Sequence, residues 1–533
     1  MPKVRLSGPV LARSGLVLAA LVYIAAFVVQ AKKNPLRGDE VDYFACIENL
    51  RENGRILYYA GEVDYPESEL VQRGTDQLGS RAVAVREFLP ERNVQKGNRF
   101  LLEGTSRYTY CLWHPPLYIE SVALATRVFP VSRADAWQLR LLHLPFVALL
   151  IAALAALSRR VYPERHALVT SIALLALAFN TLWLRGSSLI DYNGTLAPAV
   201  AALGAGAYLR TRERWSATAV VCFALGWATS FGIGTALTFA MLVCAALTHD
   251  LRLLLRVAAS LALGFALFSA VFYGWAAFRH FSFAEPYVYN FLATGGNSNA
   301  FHLGRSLRFF GRVALALGVV PMLLFFALLA RPARRAQLFR GAPAVLVLTV
   351  LAGLAIPTLL RAEAYGFPKY VVFVVPLLLL VVAGELVTWL GEPRPLVPRL
   401  ARAALLLLGV ESSVRFALSV ADPNPNLYLA GQLGFARAVV EVEQRSRPEA
   451  VVIAPKDVAF YAGRKFIEPF AIAKLSPALL RRTLARHEIP LASYQTEILQ
   501  GRDPDADALL RARFPVVQPS EGAFRLLLAK PAR

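Results

Sequence analysis

The chain has 533 residues, 56% of them hydrophobic and only 17% charged, with a mean hydropathy of +0.47. Ordinary soluble domains hold about 45 to 50% apolar residues, so a purely soluble globular protein is excluded and a multi-spanning membrane protein is the first reading. The net charge of +21, from 57 Lys and Arg against 36 Asp and Glu, lies in short clusters between apolar runs, which is membrane topology rather than a nucleic-acid surface.

The first apolar run, residues 14–31, follows Lys3, Arg5 and Arg13 and is long enough to cross a bilayer. It reads as a retained first helix rather than a cleaved signal. A polar stretch follows over 32–138. It opens with "RGDEVDYF" (Arg37 to Phe44), which sets Asp39, Glu40 and Asp42 close to the membrane surface, and it ends near "PPLYIESVALATRVFP" (Pro115 to Pro130). The latter is short, carries Glu120 and Arg127 and begins with a Pro pair, so it predicts a helix lying along the surface rather than crossing.

Further spans are predicted at 139–158, 166–185, 191–209, 253–275, 312–330, 342–360, 369–390 and 402–420. The apolar run 217–248 is too long for one span, and "SFGIG" near its middle divides it into two short helices, for about eleven spans in all. With the N-terminus inside, the connections "SRRVYPERH", "TRERW", "HDLRLLLR", "ARPARRAQLFR" and "EPRPLVPRLAR" all fall inside as well. That side collects about 18 Lys and Arg against about seven in the short outer loops. The fold class is therefore mostly α: a polytopic transmembrane helical domain (1–420) with a long extracytoplasmic first loop carrying surface helices, and a small extracytoplasmic α/β domain (421–533). In that tail, "EAVVIAP", "FYAGRKFI" and "AFRLLLAKP" read as strands and "PALLRRTLARHEI" as a helix.

Four polar features gather on the outer face: "GDEVDY", "WHPPLY" (Trp113 to Tyr118), "LIDYNG" with Asp191 at the mouth of a span, and "YGFPKY" (Tyr365 to Tyr370) with Lys369 opening another. Taken singly, each has a plain structural reading: a solvated loop acid, a helix cap, a lysine reaching for the interface. Together they suit chemistry on a lipid phosphate. Carboxylates can take a proton from a hydroxyl nucleophile while cations and aromatic rings at the same depth hold a phosphate whose tail stays in the bilayer. The loop 276–311 adds an aromatic run from Phe278 to Phe291, then Gly295 and Gly296, then Arg305 and Arg308. It reads as an interfacial aromatic belt or as a flap that offers arginine to a phosphate.

An apolar span, "DExxY" (Asp39, Glu40, Tyr43), a "HPPLY" helix, an Asp at the outer end of the third span and "PKY....P" (Pro368, Lys369, Tyr370, Pro376), in that order, resemble the GT-C membrane glycosyltransferases. Within them the likeness is to the group of aminoarabinose transferases and dolichyl-phosphate-mannose protein mannosyltransferases. "FYAGRK" resembles their small extracytoplasmic domain. The resemblance implies an inverting transfer of a sugar from a polyprenyl-phosphate-linked donor to an acceptor on the outer side of a cell inner membrane. It implies Asp39 as general base or acceptor-positioning acid, Glu40 as its partner, Asp191 as the second-loop acid and Lys369 facing the donor phosphate. Arg361, Arg305 and Tyr370 join Lys369 as candidate phosphate contacts, and His114, Tyr43 and Tyr365 are candidate substrate contacts. Asp42 falls outside the matching pattern and is read as loop.

A phosphate leaving group needs no protonation, so no cofactor is required, although the chemistry leaves room for a divalent metal. The expected partners are the lipid-linked donor, a lipid, glycan or protein acceptor and membrane lipids, with no nucleic acid. The alternative is a transporter or flippase of lipid-linked sugars, but the predicted spans are nearly free of charge and show no half-to-half repeat. Four cysteines without a CxxC spacing indicate no zinc ribbon. Cys46 and Cys111 share the first loop, placed to pair if it faces an oxidising compartment.

Overall fold

A computed structural model describes residues 8–33, 35–36, 38–54, 56–59, 61–62, 108–110, 115–191, 194–278, 311, 313–314, 317–359, 368–421, 435–472, 477–495, 504–518 and 524–528. The chain divides into two compact units. The first comprises 1–34, 113–121 and 138–423, and the second 35–112, 122–137 and 424–533. The first loop thus groups with the C-terminal sheet rather than with the helices beside it in sequence.

In chain order the helices are α1 (Gly8–Lys33), α2 (Asp39–Asn53), α3 (Leu117–Val128), α4 (Leu144–Val161), α5 (His166–Phe179), α6 (Thr181–Ser188), α7 (Leu196–Glu213), α8 (Ala217–Thr229), α9 (Phe231–Ala246) and α10 (Leu251–Phe278). There follow α11 (Val319–Ala330), α12 (Pro332–Arg340), α13 (Ala344–Leu359), α14 (Val375–Leu390), α15 (Leu396–Ala421), α16 (Phe435–Arg445), α17 (Lys456–Tyr461), α18 (Pro469–Ile472), α19 (Pro477–Arg486) and α20 (Pro504–Arg513). Short 3-10 segments lead into α4 (Ala136–His143) and α14 (Pro368–Val374).

The first unit is a helical bundle. Four helical stretches among the described residues are long and apolar enough to cross a membrane, at Ala12–Lys33, Ala136–Val161, Leu251–Phe278 and Val371–Leu390, and shorter apolar helices lie between them. This is a multi-pass membrane protein. The Val371–Leu390 stretch is 94% buried. Glu385 is its one charged residue, and a helix with no polar stripe to show to water belongs at the centre of its bundle.

The apolar run 217–248 breaks where expected: Ser230 ends α8 and accepts from the Gly232 amide at 3.2 Å, starting α9. A second break was not anticipated. The run 166–185 reads as one span, but Asn180 interrupts it, accepting from the Trp183 amide at 3.0 Å to start α6 and donating through Nδ2 to the Leu317 carbonyl at 3.1 Å. In an apolar slab a broken helix is tolerated only when side chains satisfy the freed backbone groups, and Asn180 does this in both directions.

The predicted spans 369–390 and 402–420 do carry charges, Glu385, Glu411 and Arg415 among them. Glu411 on α15 accepts from the Val319 and Val320 amides at 2.7 and 2.9 Å, capping α11 from a neighbouring helix, and Arg415 one turn away donates to the same carboxylate at 2.7 Å. Glu385 on α14 faces Arg334 of α12 at 3.6 Å. Each of these charges is paired within the protein.

The predicted surface helix is α3. Its 12 residues span about 18 Å, well short of the roughly 30 Å apolar core of a bilayer. Tyr118 and Ile119 are buried on it, and Leu124, Val128 and the following Phe129 are exposed.

The second unit holds two sheets. β1 (Leu57–Tyr59) and β2 (Tyr108–Tyr110) pair antiparallel, Leu57 opposite Tyr110. The C-terminal sheet has the order β4-β3-β5-β7-β6, built from β3 (Val451–Ile453), β4 (Lys465–Ile467), β5 (Leu491–Gln495), β6 (Val516–Gln518) and β7 (Phe524–Leu528). β3 pairs parallel with β4 and β5, and β7 antiparallel with β5 and β6. "VVI", "FRLLL" and the α19 helix fall as predicted. "FYAGRKFI" does not form one strand: Phe460 and Tyr461 end α17, Gly463 turns at φ 63°, and only Lys465–Ile467 is extended. Cys46 is held in a disulfide while Cys222 and Cys244 are free, and the remaining cysteine of the four is Cys111, outside the described residues.

α8 and α10 pack closely because Gly264 has no side chain. A Cβ there would fall 2.8 Å from Phe223 Cβ and 3.0 Å from the Val220 carbonyl oxygen, whereas one at Gly274, further along the same helix, would meet nothing within 4 Å. Gly264→Ala should therefore destabilise the protein by about 1 to 3 kcal/mol, read as a lower melting temperature in detergent. Gly274→Ala should leave melting unchanged or slightly raise it.

Candidate functional site

"RGDEVDYF" is not a loop. α2 starts at Asp39, immediately after Gly38, whose φ of 57° is a left-handed conformation that favours glycine. Asp39, Glu40 and Asp42 all occupy its first turn, where the exposed amides and the helix dipole favour negative charge. The helix stops at Gly54 (φ 66°), whose amide donates to the Leu50 carbonyl at 3.1 Å.

Burial sorts these acids. Asp39 is half-buried, Glu40 is 1% exposed and Tyr43 is buried. Asp42, read from the sequence as solvated loop, is also buried and forms an ion pair with Lys456 at the start of α17. The reading failed because the partner is 414 residues away. Burial pushes the Asp42 carboxyl up from 3.8 to about 6, against the pull of the Lys456 ammonium and with the push of Asp39 and Glu468.

The predicted residues of the first unit fall on adjoining elements. Asp191 is 2% exposed in the tight turn between α6 and α7, its amide donating to the Leu189 carbonyl at 2.8 Å and its carbonyl accepting from the Gly194 amide at 3.0 Å. Thr195 Oγ1 ties the turn to the Ser187 carbonyl at 2.8 Å. The turn requires glycine at 194, because a Cβ there would lie 2.9 to 3.0 Å from the carbonyl oxygens of Leu189, Asp191 and Ser187. The 3-10 segment Pro368–Val374, which contains Lys369 and Tyr370, packs against α6 and α7, the two helices that flank this turn. The side chains of Lys369 and Tyr370 lie outside what the structure describes, as do His114, Arg305, Arg361, Tyr365 and the proposed flap beyond Phe278.

The "HPPLY" helix is pinned at its start. Tyr118 Oη and His143 Nε2 are hydrogen-bonded at 2.6 Å in a buried setting, and Trp275 Nε1 at the end of α10 donates to Glu120 at 2.7 Å. Neither partner was signalled by the sequence, since both arrive from other helices. Among the described residues no group of three or more His, Cys, Asp or Glu is placed to hold a metal ion.

The arrangement can do acid–base work. α2 offers a part-exposed acid beside a buried one, and Asp42 with Lys456 forms a charged pair on the same turn. Because the folded carboxyl of Asp42 titrates above its unfolded value, the folded state binds that proton more tightly. The associated stabilisation is fully present below about pH 4 and is lost as the pH rises to about 6. Melting followed across that window should fall with rising pH, and Asp42→Asn should flatten this part of the profile.

Among solved structures, the chain is similar to ArnT from Cupriavidus metallidurans bound to undecaprenyl phosphate, with a TM-score of 0.57 and 13% identity over 97% of this chain and 99% of that one. The apo state of the same protein gives a TM-score of 0.56 at 13% identity, with the same coverage. No family model and no curated protein matches the sequence. A likeness at 13% identity that runs nearly the full length of both chains is one of architecture, and the chain shares the fold of the ArnT structures.

Proposed function

We propose that this protein is an inverting glycosyltransferase of the bacterial inner membrane, taking a sugar from a polyprenyl-phosphate-linked donor to an acceptor on the extracytoplasmic side. The observation that carries the reading is the first turn of α2. A part-exposed Asp39 stands beside a buried Glu40, directly after the first apolar helix, in a fold shared with a protein whose structure holds undecaprenyl phosphate. A carboxylate in the first turn of a helix, where the dipole favours the anion, can accept a proton from an acceptor hydroxyl.

In this reading the broken helices α5–α6 and α8–α9 complete about eleven crossings. The N-terminus is cytoplasmic, and the first loop and C-terminal domain are extracytoplasmic. The disulfide at Cys46 supports an oxidising location for that loop. Asp39 takes the proton of the acceptor hydroxyl as its oxygen attacks the anomeric carbon. Glu40 and Asp191 orient the acceptor, with His114, Tyr43 and Tyr365 against the sugar. The bond from the anomeric carbon to the phosphate oxygen breaks on the opposite face, and the pair of electrons leaves with polyprenyl phosphate. Lys369, Tyr370, Arg361 and Arg305 stabilise that charge. No acid is needed for a leaving group that is already a stable anion, and the cations remove the need for a metal.

Asp39→Asn, purified in detergent and given polyprenyl-phosphate-linked sugars and acceptor extracted from membranes, should transfer at least about a hundredfold more slowly than wild type. Retained wild-type transfer would remove the assignment. Turnover in micelles, where there are no compartments, also separates a transferase from a flippase, which would show none. Dialysis against EDTA should leave the rate within about twofold, and a loss restored by a divalent ion would place a metal in the mechanism.

A further inference from the structure

α2 has no side-chain cap of its own: Gly38 contributes none, and a Cβ built there would meet nothing within 4 Å. Besides β1 of its own loop, the helix is held from the other end of the chain, within the same compact unit. Upstream of it, the Leu36 amide donates to the Tyr461 hydroxyl at 2.6 Å. On its first turn, Asp42 pairs with Lys456. On its second, Phe44 meets Phe460 edge to face, ring centroids 5.2 Å apart. Asp39 is therefore bracketed in sequence by Leu36 and Asp42, both held by α17.

α17 is itself rigidly seated. Val458 and Ala459 are fully buried in the core of the C-terminal domain. Arg464, just beyond it, donates to the carbonyls of Ala462, Glu443 and Ser446 and to Ser446 Oγ, all within 2.9 Å. Arg133 closes the circuit, with its guanidinium 5.6 Å from the Phe460 ring and 2.9 Å from Glu48 on α2. Phe460, Tyr461 and Arg464 belong to the "FYAGRK" stretch, whose chemistry the proposed reaction leaves unused.

We propose that the C-terminal domain is the positioning device of the transferase, with Lys456 and Tyr461 of α17 setting where Asp39 stands, so that they govern turnover without touching the sugar or the phosphate. This rests on the reading of Asp39 given above. A purely structural role would alter the amount of folded protein and leave the rate per folded molecule alone. A positioning role lowers kcat while leaving donor affinity in place, since displacing a reacting group by about 1 Å can cost about a hundredfold in rate.

The test uses the full chain in detergent, with membrane-extracted polyprenyl-phosphate-linked sugar as the probe. Lys456→Met should lower apparent kcat by about tenfold or more with donor KM within about twofold, and Lys456→Arg should recover most of the loss by restoring the cation. Tyr461→Phe, which keeps the ring and removes the hydroxyl that accepts from Leu36, should give a smaller fall of the same kind. Hydrogen exchange over residues 39–53 should quicken in Lys456→Met and not in Lys456→Arg. Wild-type kcat in Lys456→Met, or a Lys456→Arg variant as slow as Lys456→Met, overturns the proposal. If Lys456→Met does not fold, Tyr461→Phe decides, and wild-type kcat there overturns it. A fully active Asp39→Asn would instead remove the transfer reading while leaving the exchange result intact, so the two failures read separately.

Discussion

A carboxylate taken out of water must find a cation, a set of hydrogen-bond donors or a proton, and this requirement organises the protein. Glu411 takes two backbone amides of α11 and the guanidinium of Arg415. Glu385 takes Arg334, Glu120 takes the indole of Trp275, and Asp42 takes Lys456. In each case the acid joins two elements distant in sequence or caps one with another. Such pairs add little net stability, because their desolvation nearly cancels their attraction, but removing one partner strands the other. They act as registers, fixing which helix stands against which.

How legible these features were in the sequence follows from the range of the interactions that make them. Apolar period and length depend on neighbouring residues, so the long helices could be read directly, as could the division at Ser230, where small residues cluster. The first turn of α2 was visible as a motif because Asp39, Glu40 and Tyr43 lie within five positions. Asn180 was not visible as a break, because its second hydrogen bond goes to Leu317 and nothing local marks it. Asp42 was misread for the same reason: its environment is made by α17 and the turn after β4. "FYAGRK" reads locally as a strand, whereas its two aromatic residues end a short helix and Phe460 presents its ring to Phe44 of α2.

The two compact units have different jobs in the proposed chemistry. One surrounds the apolar helix α14 and carries, on adjoining elements, the Asp191 turn and the Lys369 segment, the pieces assigned to acceptor orientation and donor phosphate. The other joins α2 to a mixed sheet that has no role of its own in bond making. Many proteins place reactive groups on loops held by a rigid scaffold. In the proposed chemistry the reactive acid is on a helix, and α17, which holds residues on either side of it, is drawn from the far end of the chain.

That separation matters during synthesis. Asp42 and Lys456 are 414 residues apart, and at about 5 to 20 residues per second the ribosome needs roughly 20 to 80 s to make the second after the first. Throughout that interval the acids of α2 have no α17 to hold them, while helix after helix enters the bilayer. On the proposed reading the nascent chain is catalytically silent by construction: the lipid donor would diffuse past a growing protein that cannot act on it until its last hundred residues have folded.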